Sequence, residues 1–386
     1  MRLIATIGAS GIELSHNYKV NNKVISAQTS FLALAEYFGI TDIVLIGTTQ
    51  SKERIEPILK ENPNIKMEIV EDFDTQTIFQ KSVSFIEKDT ILDLTQGFRH
   101  YPMLTMLAAI FSQIDNSKDV KNIYYAQIDD HTKDVRKEVC DFTFVSLMQY
   151  LDLSNMVRTI NTFVKTLFVL DEYIVDENFI KLHKELKEFS IAIFNNNYEK
   201  AFSEAEDIIK TIKQIKKEQA LIFINSHLSI LKQETKKIIA LQDKYESQRL
   251  LNISRYLIEK DITLHSITAL YESMVAFLDE EVKSKECDNF TNKKGNVVSS
   301  NTYQKRNCLK KSLNKYSKFI PDSKDFSKLL YKIDKLRNIS AHAFTSDNTN
   351  TDINKEITKA IKTLQKIYAK RLSKKSSVDR LRDAFK

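Results

Sequence analysis

In the stretch LRNISAHAF, residues 336–344, an arginine, an amide and an imidazole (Arg337, Asn338 and His342) fall within six residues, in a chain with seven histidines. On an ideal helix Asn338 and His342 are i,i+4 neighbours on one face. Arg337 and His342 are five apart, about 140° around the axis. They converge only where the helix ends or where the long arginine wraps back. Histidine moves protons near neutral pH, and arginine stabilises a crowded, highly charged phosphorane. These are the two groups a metal-free ribonuclease needs, with Asn338 placed to hold the imidazole or a phosphate oxygen. A capping histidine beside a salt-bridged arginine would use the same residues, and RxxxxH alone is a common pattern. RNxxAH behind the amphipathic run FSKLLYKIDKL is more specific.

The front of the chain has its own candidate in DLTQGFRHYP, Asp93 to Pro102. Here a strand runs out into a turn that carries Thr95, Gln96 and Gly97. Glycine lets backbone amides approach a ligand. Arg99 and His100 open the next helix, where the macrodipole favours an anion. The chemistry suggested is recognition of a phosphorylated ligand. A tight strand–helix turn with a surface arginine fits the same residues, and locally both readings stay open. Neither GASG (8–11) nor GTTQS (47–51) makes a GxGxxG fingerprint, and the chain has no GxxxxGK[ST] loop, so nicotinamide chemistry is a poor fit.

The remaining histidines carry less. His183 and His227 read as solvated helix-surface residues. His265 is expected either buried or lining one cleft with Arg337. His16 and His131 read as loop residues with no carboxylate or cysteine at metal-ligand spacing, so no metal site is expected. The lysine pairs read as solvated faces.

Two kinds of element must position these residues. RLIATIG (2–8), DIVLIGT (42–48), IKMEIVE (65–71), TILDLTQG (90–97) and KNIYYAQI (121–128) are short apolar runs that read as buried strands. Between them lie a hairpin at 16–25, a helix running from a capping Ser26 to Gly39, and helices at 51–62, 74–88 and 101–114. KEVCDFTFV reads as one more strand, antiparallel and at the sheet edge. Five strand–helix alternations imply a parallel sheet covered on both faces. Ligands of such sheets bind at the carboxyl ends of strands, which here are 8–11, 47–51 and 95–100.

From about Leu151 the apolar spacing becomes 3.6 residues. Residues 254–282 read as one or two helices, 283–307 as a polar loop, 322–338 as an amphipathic helix capped by Asp322 or Ser323, and 351–372 as a last helix. The expected organisation is an α/β Rossmann-like domain over 1–150, a helical linker over 151–250 and an all-α domain over 251–386.

Composition agrees with this division. Five of the six glycines fall in the first hundred residues. The net charge of +7 is split unevenly: residues 1–150 carry −5 and the remainder +12. A basic helical half suits a polyanion such as nucleic acid. Three cysteines without metal spacing suit a reducing cytoplasm. MRLIATIGAS reads as a strand and not a signal peptide, and PMLTMLAAIF is too short to span a membrane.

Taken together, the two motifs resemble one family. DLTQGFRHYP resembles the DxTHG-type segment of CRISPR-associated CARF domains, with Gln96 at the histidine of that pattern. RNISAH resembles the R-x4-6-H motif of HEPN ribonucleases. The order of CARF, helical linker and HEPN is similar to that of the accessory ribonucleases of type III CRISPR systems. The likeness covers most of the chain and is thinnest over 151–250. It implies a CARF domain that binds cyclic oligoadenylate as an allosteric activator across a homodimer axis. The matching positions are Gly8, Ala9 and Ser10, then Thr48, Thr49 and Ser51, then Thr95, Gln96, Gly97, Phe98 and Arg99.

The likeness also implies a composite HEPN site in which each protomer brings Arg337, Asn338 and His342. There single-stranded RNA would be cut without metal by 2′-hydroxyl attack, leaving 2′,3′-cyclic phosphate ends. His342 would handle protons or position the hydroxyl, Arg337 would stabilise the phosphorane, and Asn338 would orient. Gln96 does not titrate near neutral pH, so whether the domain also degrades its ring ligand is left open. The alternative implied by the same likeness is a sensor that binds cyclic nucleotide and recruits a partner or nucleic acid without cutting.

Overall fold

The first strand, β1 (Arg2–Thr6), is apolar on both faces because both are covered. In the computed structural model, which describes residues 1–8, 14–70, 74–112, 119–172, 174–216, 224–282, 323–341 and 350–373, Leu3 and Ala5 pack to one side. They meet α1 (Ser30–Phe38) and α2 (Thr49–Glu61) there. Ile4 packs to the other side with α3 (Thr75–Phe85) and α4 (His100–Ser112).

β4 (Asp42–Gly47) and β6 (Thr90–Asp93) flank β1, and β5 (Ile65–Ile69) and β7 (Val120–Ile128) lie beyond them, all parallel. The hairpin strands β2 (His16–Val20) and β3 (Lys23–Ala27) and the last strand, β8 (Asp141–Ser146), complete an eight-stranded sheet of order β3-β2-β8-β7-β6-β1-β4-β5. Over the five parallel strands this is the doubly wound order, with its switch point between β1 and β6.

Two expectations are corrected here. β8 is antiparallel to β7, as expected, but it is not an edge strand. The hairpin returns to the sheet and β2 pairs alongside it. Asn17 donates to Asp141 at 2.9 Å and the Tyr18 ring stacks on Phe142 with centroids 5.2 Å apart. These contacts are 124 residues apart in sequence, so local patterning does not reveal them. Nor does α1 begin at Ser26, which pairs with Asn17 inside β3. Its cap is Thr29, whose hydroxyl accepts from the Leu32 amide at 3.4 Å. Gly39 closes the helix in the left-handed region, at φ 65°.

The rest of the described chain is helical, as the change of period implies: α5 (Met148–Thr166), α6 (Glu177–Phe194), α7 (Tyr198–Ile215), α8 (Asn225–Ile239), α9 (Glu246–Glu259), α10 (Thr263–Val282), α11 (Ser323–Ala341) and α12 (Asn350–Ser373). The stretch 254–282 is two helices, broken at Asp261 with φ 59°. The expected loop at 283–307 lies outside the described residues. The chain divides into two compact units, Met1–Thr159 with Asp171–Ile180, and Ile160–Leu170 with Lys181–Lys386. The core of the second unit joins α9 to α12 through Leu251, Leu270, Met274, Phe326, Ile361 and Leu364. Among the described residues no helix is long and apolar enough to cross a membrane.

Candidate functional site

At the front, the loops leaving β1 and β6 meet at the switch point. A Cβ built on Gly8 would lie 3.3 Å from the backbone of Gly97. Gly97 has φ +118°, and a Cβ there would lie 3.1 Å from the Thr6 side chain, so glycine is required for both conformation and space. The Thr6 hydroxyl donates to the Gln96 carbonyl and fixes the turn against β1. Gly97, Phe98 and Gln96 are half-buried and Arg99 is exposed at the mouth of α4. Phe98 packs into the core on the α3–α4 side, with its ring centroid 5.7 Å from that of Tyr101.

The turn is braced from below by Asp93, which is 1% exposed. One carboxylate oxygen accepts from the Ser30 hydroxyl at 2.6 Å, the other from the Thr95 amide at 3.0 Å. Burial pushes the Asp93 carboxyl above its ordinary range, against the pull of those hydrogen bonds. The Thr95 hydroxyl accepts from the Ala126 amide at 2.8 Å and ties the turn to β7. Ser30 opens α1, so the N-termini of α1, α2 and α4 all stand at the carboxyl ends of β1, β4 and β6. Their amides supply a positive field in an otherwise acidic domain.

The sequence-predicted residues divide by role. Gly8, Gln96, Gly97 and Arg99 gather at the switch point. Thr49 is exposed in the first turn of α2. Thr48 and Ser51 are buried in structural bonds: the Thr48 hydroxyl accepts from the Ser51 amide at 3.2 Å, and the Ser51 hydroxyl donates to the Ile7 carbonyl at 3.2 Å. Ala9 and Ser10 lie outside the described residues.

In the second unit, Arg337 sits in the last turns of α11, which runs on to Ala341 and does not end at Asn338. Its guanidinium carbon lies 4.0 Å from the ring centroid of Tyr271 on α10. It also faces the Asp334 carboxylate at 3.2 Å. Tyr271 is buried, so the cation–π contact holds Arg337 in one orientation. Asn338 is exposed, and His342 lies outside the described residues.

Among the other histidines, His16, His183 and His227 sit differently from expectation. His16 is on β2, 7% exposed, with Nδ1 accepting from the Cys140 amide at 3.2 Å; burial lowers its affinity for a proton. His183 is half-buried and bonded to the Leu170 carbonyl at 2.8 Å, not solvated. His227 is also half-buried. His265 is bonded to the Phe194 carbonyl at 3.0 Å, with its ring edge-on to Phe194. His16 and His183 were misjudged because each is fixed by a partner outside its own local pattern, Cys140 and Leu170. Tyr271 and Ser30 were missed for the same reason. Among the described residues no three His, Cys, Asp or Glu side chains gather as a metal site would require.

No protein-family model matches the chain, and no curated protein matches it. Among solved structures, "Enterococcus italicus Csm6 bound to cyclic hexa-2′-fluoro-hexa-dAMP" is similar at 12% identity and a TM-score of 0.41, over 100% of this chain and 97% of that one.

Proposed function

We propose that the chain is a cyclic-oligoadenylate-activated endoribonuclease of type III CRISPR defence. It would work as a homodimer and cut single-stranded RNA without a metal. In this reading residues 1–150 sense the ligand, 251–386 form the HEPN ribonuclease domain, and the helices of 151–250 link them. The observation that supports it best is the convergence of Gly8 and Gly97 under three helix N-termini, with Arg99 exposed at the rim. A ligand there meets backbone amides and one exposed cation, which suits phosphodiesters. A two-fold ring ligand is matched by a two-fold receptor.

In the HEPN domain, Arg337, already oriented by Tyr271, would stabilise the phosphorane. His342 would handle protons or position the 2′-hydroxyl, and Asn338 would orient, the products being 2′,3′-cyclic phosphate and 5′-hydroxyl ends. The second reading is a sensor that recruits a partner or nucleic acid without cutting. In its favour is that the Arg337 guanidinium is already engaged by Asp334 and Tyr271.

Titration of labelled cyclic oligoadenylates of different ring size tests the sensor half. One ring size is expected to bind the wild type, with Arg99→Ala weakening it by about tenfold, as loss of one charge-assisted hydrogen bond implies. Absence of binding by every ring would overturn the sensor assignment.

A further inference from the structure

Outside the motif, the second unit carries a basic surface on α11 and α12. Phe277 on α10 meets Phe326 on α11, and Tyr271 meets Arg337, so α10 and α11 are antiparallel. Thr263 meets Asn354 and Ser273 meets Tyr368, so α12 runs parallel to α10 and antiparallel to α11. Lys332 pairs with Glu356 and pins α11 to α12. At about 100° per residue, Lys328, Tyr331, Lys335 and Asn338 form one stripe of α11, opposite its buried Phe326 and Ile333. Lys355, Lys359, Lys362 and Lys366 form the matching stripe of α12, opposite Ile357, Ile361 and Leu364. With the helices antiparallel and pinned at Lys332–Glu356, both stripes open on the same side.

Every lysine of the two stripes is exposed. Among the described residues the ion pairs on these helices are Lys332–Glu356 and Arg337–Asp334, and Lys359 lies near enough to Glu356 to be felt electrostatically. The carboxylates on these helices with described side chains are Asp325, Asp334 and Glu356, of which Asp334 and Glu356 are paired and Asp325 lies at the far end of α11. Tyr331 is 75% exposed, more than any other large apolar or aromatic side chain described. It stands between Lys328 and Lys335. Beyond α12, a groove of about 740 Å³ lies against the α9–α10 turn, with Lys355, Lys359 and Lys362 among its lining residues. That is roomy enough for a nucleotide-sized ligand.

We propose that this face of α11 and α12 is a track for single-stranded RNA, with the lysine stripes holding phosphates and Tyr331 stacking a base. A basic surface with an interleaved exposed aromatic is how unpaired strands are held. A duplex hides its base faces and gains nothing from Tyr331. The stripe of α11 leads to Asn338, so the track would deliver RNA to the proposed catalytic motif. In that respect the proposal rests on the ribonuclease reading.

The test is binding, kept separate from cleavage. Fluorescein-labelled 2′-O-methyl single-stranded RNA, which has no hydroxyl to attack, is titrated with the full-length chain at several salt concentrations. Tyr331→Ala is expected to weaken binding about 5- to 100-fold and Tyr331→Phe to restore it, with duplex RNA unaffected by either. Lys355→Glu/Lys359→Glu/Lys362→Glu is expected to reduce the salt slope by about 2, at roughly 0.7 per phosphate contact. If these variants bind as tightly as wild type with the same slope, the track is wrong. It is equally wrong if the triple variant changes only the association state. Failure of the wild type to cut unmodified RNA, with binding intact, would instead remove the nuclease reading and leave the track standing.

Discussion

The guanidinium of Arg337 lies 4.0 Å from the ring centroid of Tyr271, so the cation that the proposed chemistry needs is oriented by a buried aromatic on a different helix. Such a contact is worth about 0.5–2 kcal/mol. Tyr271→Leu is therefore expected to lower the rate of RNA cleavage about 2- to 30-fold with little change in RNA affinity, while Tyr271→Phe keeps the rate. Arg337→Lys keeps the charge but loses the planar fork, and a loss of about 100-fold or more is expected. Steady-state kinetics on the three variants checks this. An equal fall in Tyr271→Phe would show that the ring face is not what matters.

Gly97 sits where a side chain meets both strain and a wall. Gly97→Ala is expected to cost about 1–3 kcal/mol of stability from its positive φ alone. The contact with Thr6 adds to that, and the ring ligand should lose its amide cradle. Urea denaturation and ligand titration read the two effects separately. Wild-type stability together with wild-type binding would contradict the geometry at the switch point.

Asp93 gives the front domain a pH signature. Burial raises its folded-state pKa above the ordinary 3.8, so the folded chain binds this proton more tightly than the unfolded one. The resulting stability is full below about 3.8 and is lost as pH rises through the folded value. Compared with Asp93→Asn, the wild type should lose stability as pH rises from about 4 through the raised folded-state value. Denaturation midpoints of the two proteins across that range give the difference. A constant difference would mean that the carboxyl is not strained by burial.

Glu234 and Lys260 form a buried pair in the second unit, 2.5 Å apart, with side-chain exposures of 5% and 16%. The Tyr256 hydroxyl donates to the same carboxylate at 2.8 Å, and the lysine also donates to the Val164 carbonyl. Lys260→Met leaves the buried Glu234 with only the exposed Lys237, at 3.0 Å, as counter-ion and should cost about 1–3 kcal/mol. Adding Glu234→Leu should recover much of that. Thermal or urea unfolding decides, and a single variant as stable as wild type would contradict the assignment.

What the sequence made legible follows from range. The parallel strands and their order of appearance were readable because each is an apolar run closed by glycine or polar residues. Helices α9 to α12 were readable because their period is local. The turn at 95–99 was recognisable from Gly97 and its neighbours, and the positive φ there has a visible cause in residue type. The partners were not readable. Ser30 holds Asp93 across 63 residues, β2 claims the free edge of β8, and Tyr271 finds Arg337 from another helix. Thr48 and Ser51 looked like ligand hydroxyls, and only three-dimensional packing shows them turned to the backbone. The exposed stripe with Tyr331 was present in FSKLLYKIDKL, but its meaning depends on α12 lying antiparallel beside it.

The most direct measurement is cleavage of a fluorescent single-stranded RNA in EDTA, with and without cyclic oligoadenylates of three to six units. The account predicts that one ring size switches cleavage on, that the products end in 2′,3′-cyclic phosphate, and that His342→Ala abolishes the activity without abolishing ring binding. Ring binding with no cleavage under any condition would contradict it and leave a sensor that acts through a partner.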